Sequence, residues 1–217
     1  MPRQRSYDDT LRDRLIDEAA LVIVDTGVDT LSVRDVALRA GTTTNAIYTF
    51  FGSRGSLIAE VVAKADESFA AAHADAVGEG DQLVDLYRYG LAFNQWATEN
   101  PTLFEVLAAS DGVIRKNSLP PWAPDSSRRS FDEESTLVLT VGRLIDAGVL
   151  DAPDRVLVAT YVWAALQGFI EVNRQLDSRR PESFDLVTVL HHAITPWVAA
   201  DAAGTAAASV DLDGLRG

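Results

Sequence analysis

The chain has 217 residues, 47% of them apolar and 24% charged, no cysteine, and a formal net charge of −13. That balance belongs to a folding chain with a sizeable core, and the missing thiols exclude disulfides, thiolate metal sites and cysteine nucleophiles. The N-terminus, MPRQRSYDDT, lacks the apolar stretch of a secretion signal, and no run approaches the roughly 18 consecutive apolar residues of a membrane span. A cytoplasmic protein with no membrane partner is expected. The acidity is uneven. Residues 1–64 carry eight basic and nine acidic side chains, a net of −1, so −12 of the charge falls on residues 65–217. A near-neutral N-terminal part can still present a local basic face.

The dominant period is helical throughout. Leu11, Leu15, Ala19, Val22 and Ile23 gather on one face and predict a first helix over 7–26, with Gly27 suited to its C-terminal cap. Ser32 followed by Asp35 resembles a capping box opening a short second helix, Val33 to Arg39, that stops at Gly41. Thr43 can cap a third helix running to about Phe50, which Gly52 and Ser53 break. A long fourth helix, with Leu57, Ile58, Val61, Val62, Ala65, Phe69 and Ala72 on its buried side, is predicted to continue to about Val77. A fifth helix spans 82–99, and Asn100-Pro101 ends it and starts a sixth through Leu107. Residues 111–129, with the run PPWAP, read as a loop of a length that is uncommon unless functional or mobile. Helices are predicted again at Phe131 to Ala147, Asp154 to Asp177 and Ser183 to Ala200, before a tail rich in alanine and glycine.

Chemistry concentrates in residues 31–58. Two short helices joined at Ala40-Gly41-Thr42 have the arrangement of a helix-turn-helix, in which the second helix enters the major groove of DNA. Ala37 and Ile47 are placed to pack the two helices together. Thr42, Thr43, Thr44, Asn45 and Tyr48 are left as candidates for the exposed face, with Ser32 beside them at the start of the preceding helix. Short polar side chains at a helix N-terminus suit phosphate and base-edge contacts. No paired carboxylates, Ser-His-Asp set or glycine-rich phosphate loop stands out, and the adjacent His191 and His192 point about 100° apart on a helix, away from shared metal ligation. Neither catalysis nor a cofactor or metal is expected.

The segment resembles the DNA-binding domain of the tetracycline-repressor (TetR) family, through Val36-Ala37, Ala40-Gly41, Tyr48, Phe51, Ser53 and Leu57. Two positions depart from that family's pattern: Phe50 stands where a histidine is usual, and Arg54 where a lysine is usual. The resemblance implies that Tyr48 and Arg54 contact backbone phosphates. It also implies an all-α fold of about nine helices, with a three-helix DNA-binding domain at 1–52, a helical ligand-binding and dimerisation domain at 53–202, and a flexible tail at 203–217. Trp163-Ala-Ala-Leu-Gln167-Gly168 is similar to a tryptophan, histidine, glycine motif of one subgroup, with Gln167 in the histidine's place.

From the same resemblance follow a small-molecule effector and a homodimer on a palindromic double-stranded DNA operator, the protein acting as a repressor. The candidate effector cavity is lined by Phe69, Tyr87, Phe93, Trp96, Phe104, Trp122 and Trp163, with Asn94, His73 and Gln167 as polar anchors. The last two helices carry apolar residues on more than one face, and Val162, Leu166, Ile170, Leu190, Ile194 and Trp197 are the candidate dimer contacts. The competing reading is a helical small-molecule-binding protein or enzyme whose first three helices are only structural.

Overall fold

A computed structural model describes residues 2–74, 76, 81–110, 135–176, 181 and 184–200, with backbone alone at 2–8 and 109–110. Among the described residues there are nine α-helices: α1 (Pro2–Thr26), α2 (Val33–Arg39), α3 (Thr44–Phe51), α4 (Arg54–His73), α5 (Gln82–Glu99), α6 (Pro101–Ser110), α7 (Thr136–Asp146), α8 (Arg155–Leu176) and α9 (Leu186–Ile194). The all-α expectation holds. A single antiparallel bridge, Leu150 to Val198, is the extended pairing among these residues.

The chain divides into two compact units: Met1–Ser68 with Asn100–Arg128, and Phe69–Glu99 with Arg129–Gly217. The division falls inside α4, and it assigns α6 to the first unit, where α6 packs on α1.

In the first unit, Leu15, Ile16, Ala19, Ala20, Val22 and Ile23 of α1 are buried, as are Val36, Ala37, Ile47 and Phe51; α1 packs on α2 and α6, and α2 packs on α3. Of the stripe read from the sequence, Leu15, Ala19, Val22 and Ile23 are buried and Leu11 is half-buried. Ion pairs fasten α1 to its neighbours: Arg12 to Glu60 (2.7 Å), Lys64 to Asp17 (2.5 Å), and Asp25 to Arg39 (2.7 Å). All are partly exposed, so each contributes little beyond orientation.

In the second unit α5 packs against α7, α8 and α9, and α8 packs against α7 and α9. The core comprises Leu83, Leu86, Tyr87 and Phe93 of α5, Leu137, Val141 and Leu144 of α7, Val158, Val162 and Leu166 of α8, and Leu186, Leu190 and Ile194 of α9. Predicted and observed limits differ most at the last helix. Pro196 cannot donate to a continuing ladder, so α9 stops at Ile194 and passes through a 3₁₀ turn, Thr195–Trp197. Extended backbone follows: Asp151 N–H donates to Trp197 C=O (2.7 Å) and Ala199 N–H to Val149 C=O (3.1 Å). α4 ends at His73, short of the predicted Val77.

α8 is long and apolar enough to cross a membrane by length and composition. One face of it belongs to the core of the second unit, which is the other reason a helix becomes this apolar.

Candidate functional site

Three local devices set the geometry of α2 and α3. Ser32 Oγ accepts from Asp35 N–H (3.2 Å) and starts α2. At the other end Gly41 takes φ +65°, Gly41 N–H donates to Leu38 C=O (3.1 Å) and Thr42 N–H to Ala37 C=O (2.9 Å). This pair of bonds is the Schellman ending, and it requires a residue tolerant of left-handed backbone at the bend. Thr43 then caps α3, accepting from Ala46 N–H at 3.4 Å. Ile47 is fully buried, and it locks the opposite side of α3 against the domain.

One turn of helix therefore sorts its residues cleanly. With Ile47 and Phe51 inward, Thr43, Thr44, Asn45, Tyr48 and Thr49 are exposed, and Tyr48 is 51% exposed despite its ring. Thr42 and Ser32 are half-buried at the edge of this face. The α3 residues proposed from the sequence thus share one open polar surface at the helix N-terminus, where backbone N–H groups and the helix dipole favour an anion.

Arg54, for which the resemblance implied a phosphate contact, also holds a turn of the backbone. Its Nε donates to Leu31 C=O (2.9 Å), and its Nη2 donates to Val28 C=O (2.7 Å) and Asp29 C=O (2.8 Å). The side chain clamps the 3₁₀ turn Val28–Thr30 that joins α1 to α2. The half-buried guanidinium is tied to three carbonyls. Lysine, lacking the fork, cannot reproduce this.

The second unit contains an aromatic box. Phe69 and His73, one turn apart on α4, meet Tyr89, Phe93 and Trp96, which follow one another at i, i+4 and i+7 on α5. Ring centroids lie 4.1 Å apart for Phe69 and His73, 4.6 Å for His73 and Tyr89, and 5.2 Å for Phe69 and Trp96. Trp163 of α8 closes on Phe93 edge to face at 4.9 Å. The edge-to-face pairs of Phe69 with Trp96 and of Phe93 with Trp163 have the geometry that aromatic quadrupoles favour. His73 is 4% exposed; its Nδ1 bonds Phe69 C=O (2.7 Å), and its Nε2 is buried with no hydrogen-bond partner among the described residues. Burial holds its pKa below the ordinary histidine value of 6.5, opposed in part by the bond to Phe69.

This geometry has counterparts among known proteins. Residues 15–61 match the model of the bacterial regulatory proteins of the tetR family. An uncharacterized HTH-type transcriptional regulator of Mycobacterium tuberculosis is 30% identical over 168 residues, covering 75% of this chain and 84% of the relative. The chain belongs to the tetR family. Its fold is also that of a TetR family transcription regulator from Marinobacter aquaeolei (TM-score 0.71, 16% identity, 90% of this chain and 99% of that one). It is likewise similar to the TetR family regulator PfmR of Thermus thermophilus (TM-score 0.64, 24% identity, 84% and 92%). A third similar structure is the SmeT–triclosan complex (TM-score 0.60, 17% identity, 89% and 94%). This member of the family is a transcriptional regulator with a DNA-binding helix-turn-helix, and not an enzyme.

Within this tetR-family chain the predicted effector residues do not all converge. Phe69, His73, Phe93, Trp96 and Trp163 do. Tyr87 faces elsewhere, its hydroxyl 3.0 Å from Nδ1 of His191 on α9. Phe104 is buried on α6 in the first unit. Asn94 and Gln167 are half-buried neighbours of Phe93 and Trp163 along their helices, and Trp122 lies outside the described residues. Tyr89 is a member that sequence reasoning missed, although its i, i+4 spacing to Phe93 was a signal for it.

The expected dimer contacts need correction. Val162, Leu166, Ile170, Leu190 and Ile194 are 0–6% exposed within a single protomer, so they are core residues. Apolar content alone does not reveal which stripe of an all-round apolar helix faces inward. Trp197 stays half-buried, its ring 4.9 Å from Tyr161. The open stripe of α8 is instead Leu157, Tyr161, Ala164, Gly168 and Val172, at i, i+4, i+7, i+11 and i+15.

Proposed function

We propose that the protein is a ligand-responsive repressor in the cytoplasm that binds a palindromic operator as a homodimer. The single observation that carries the reading is the exposed polar face of α3, Thr43, Thr44, Asn45 and Tyr48, held out by the buried Ile47 and by the Schellman bend at Gly41. Thr42, Thr44 and Asn45 read base edges, while Tyr48 and the α3 N-terminus meet phosphates. Two such helices, about 34–36 Å apart in a two-fold dimer, reach successive major grooves. With a chain charge of −13, affinity rests on this local geometry and on the doubling of the dimer.

The dimer surface in this reading is the open stripe of α8 with Trp197, supported by its exposed tyrosine and small residues at helical spacing. The effector site is the aromatic box, supported by a buried imidazole nitrogen that lacks a partner among the described residues. The triclosan complex of SmeT, a protein of the same fold, is in keeping with an apolar effector. α4 carries Leu57 and Ile58 in the first unit and His73 in the second, so an effector that favours one orientation of α4 shifts DNA affinity.

A salt-dependent mobility-shift assay against the upstream region of the gene and a selected random library tests the reading. Specific binding to an inverted repeat is the expected result. No sequence-specific binding at low salt in either pool leaves the alternative of a helical ligand-binding protein without DNA activity.

A further inference from the structure

The aromatic box has a polarity that its residue composition does not disclose. A carbonyl oxygen only accepts, so the 2.7 Å contact between His73 Nδ1 and Phe69 C=O makes Nδ1 the protonated nitrogen. The other nitrogen, Nε2, then carries a lone pair and no hydrogen. It is buried, and none of the described residues donates to it. Leaving an acceptor buried and unsatisfied is costly, and a donor that reaches it recovers that cost. The rings of Phe69, Tyr89 and Phe93 stand 4.1, 4.6 and 6.2 Å from the imidazole, the first two in contact with it, so a donor that reaches Nε2 meets apolar aromatic surroundings.

Resting on the reading of the box as an effector site, the geometry points to a neutral aromatic hydrogen-bond donor, a phenol-type hydroxyl on a ring, as the class of molecule bound, with His73 Nε2 as its acceptor. A cation is the less suitable occupant. Aromatic faces attract one, but a buried unpaired charge is far more costly than a buried hydroxyl. The lowered pKa of His73 agrees with a neutral acceptor at physiological pH.

The test uses the full chain labelled with ¹⁵N-histidine, in which three histidines, His73, His191 and His192, give resolvable signals. The probes are phenol, anisole and benzylammonium. In the ligand-free protein the His73 signal is expected to show a protonated Nδ1 and a pyridine-like Nε2; a protonated Nε2 overturns the proposal. Phenol is expected to move the Nε2 resonance, whereas anisole, which has the same ring and no donor, leaves it in place. Calorimetry is expected to give phenol about tenfold tighter binding to the native chain than to His73→Phe, the worth of one hydrogen bond. Equal binding of phenol and anisole, preference for benzylammonium, or no binding of phenol at millimolar concentration each overturn it. The NMR signature is read on the native chain, so it stands even if His73→Phe fails to fold. Mobility shifts in the same ligands separate the two claims. Phenol that moves Nε2 without changing operator affinity supports the donor site and defeats the ligand-response reading. A probe that releases DNA while Nε2 stays unmoved does the reverse.

Discussion

Leu190 on α9 lies against the bare Cα of Gly90 on α5, so closely that a β-carbon built at Gly90 would overlap its Cδ1 and would stand 3.2 Å from Cδ2 of Leu166 on α8. Three helices of the second unit therefore meet at one missing side chain, and two of the residues first read as dimer contacts are what fill it.

Gly90→Ala is accordingly expected to destabilise the protein by about 1–3 kcal/mol, as overpacking does in a filled core, although alanine is the better helix former. Urea denaturation checks this. Leu190→Ala in the same chain should restore part of the loss, because it vacates the volume the new methyl needs; full additivity of the two changes would show that they do not share a site.

Arg54→Lys is expected to lower the thermal midpoint, since it removes a fork that donates to Leu31, Val28 and Asp29 carbonyls. Roughly 2 kcal/mol is the expected scale for losing bonds made by a charged donor. Operator affinity measured below the unfolding transition should change less than stability. The opposite pattern would place Arg54 among the phosphate contacts.

Substitutions on the open face of α3 should behave the other way round. Asn45→Ala is expected to weaken operator binding by about 1–3 kcal/mol and to relax specificity at one base position. Tyr48→Phe should cost about 1 kcal/mol nearly uniformly across sequences. Both positions are exposed, so denaturation curves should overlay the native one.

The buried imidazole gives stability a pH dependence of known sign. His73 titrates below 6.5 in the folded protein, so as pH falls the unfolded chain takes up a proton that the native state resists. Its contribution is complete above about pH 6.5 and declines as pH drops through and below that value. His73→Gln should flatten this part of the urea midpoint against pH. Tyr87 acts at the alkaline end: burial pushes its pKa up to about 12, so its share of stability is present below pH 10 and lost as pH rises towards 12. Tyr87→Phe should remove that loss.

Tyr161→Glu tests the dimer surface. A charge in the middle of the exposed α8 stripe is expected to convert a dimer into a monomer in analytical ultracentrifugation and to abolish tight operator binding, leaving the helical circular dichroism spectrum intact. An unchanged sedimentation coefficient would place the interface elsewhere.

Much of the DNA-reading domain was legible in the sequence because its determinants are local. A serine and a threonine at helix starts, a glycine at the bend, and apolar residues every third or fourth position act within a few residues of one another. The limits of α2 and the burial of Ala37 and Ile47 follow directly from them. The second half was legible only as helices. α8 and α9 are apolar on several sides, and periodicity carries no information about which side meets another helix. Burial of Leu166 and Leu190 goes with the close approach at Gly90, and the open stripe through Tyr161 lies on a different face of α8.

The aromatic box divides in the same manner. Composition put Phe69 and His73 of α4 and Phe93 and Trp96 of α5 in one candidate set. Bringing the two pairs together, adding Tyr89, and turning Tyr87 away towards His191 required the packing of α4, α5 and α9, which joins residues far apart in the chain. The sequence by itself determined helices, their caps and the bend that exposes α3, since these are settled by neighbours along the backbone. Tertiary structure alone decided that Arg54 is a clamp, that the α8 stripe is open and that His73 presents a lone pair, because each depends on which distant carbonyl, methyl or ring stands opposite.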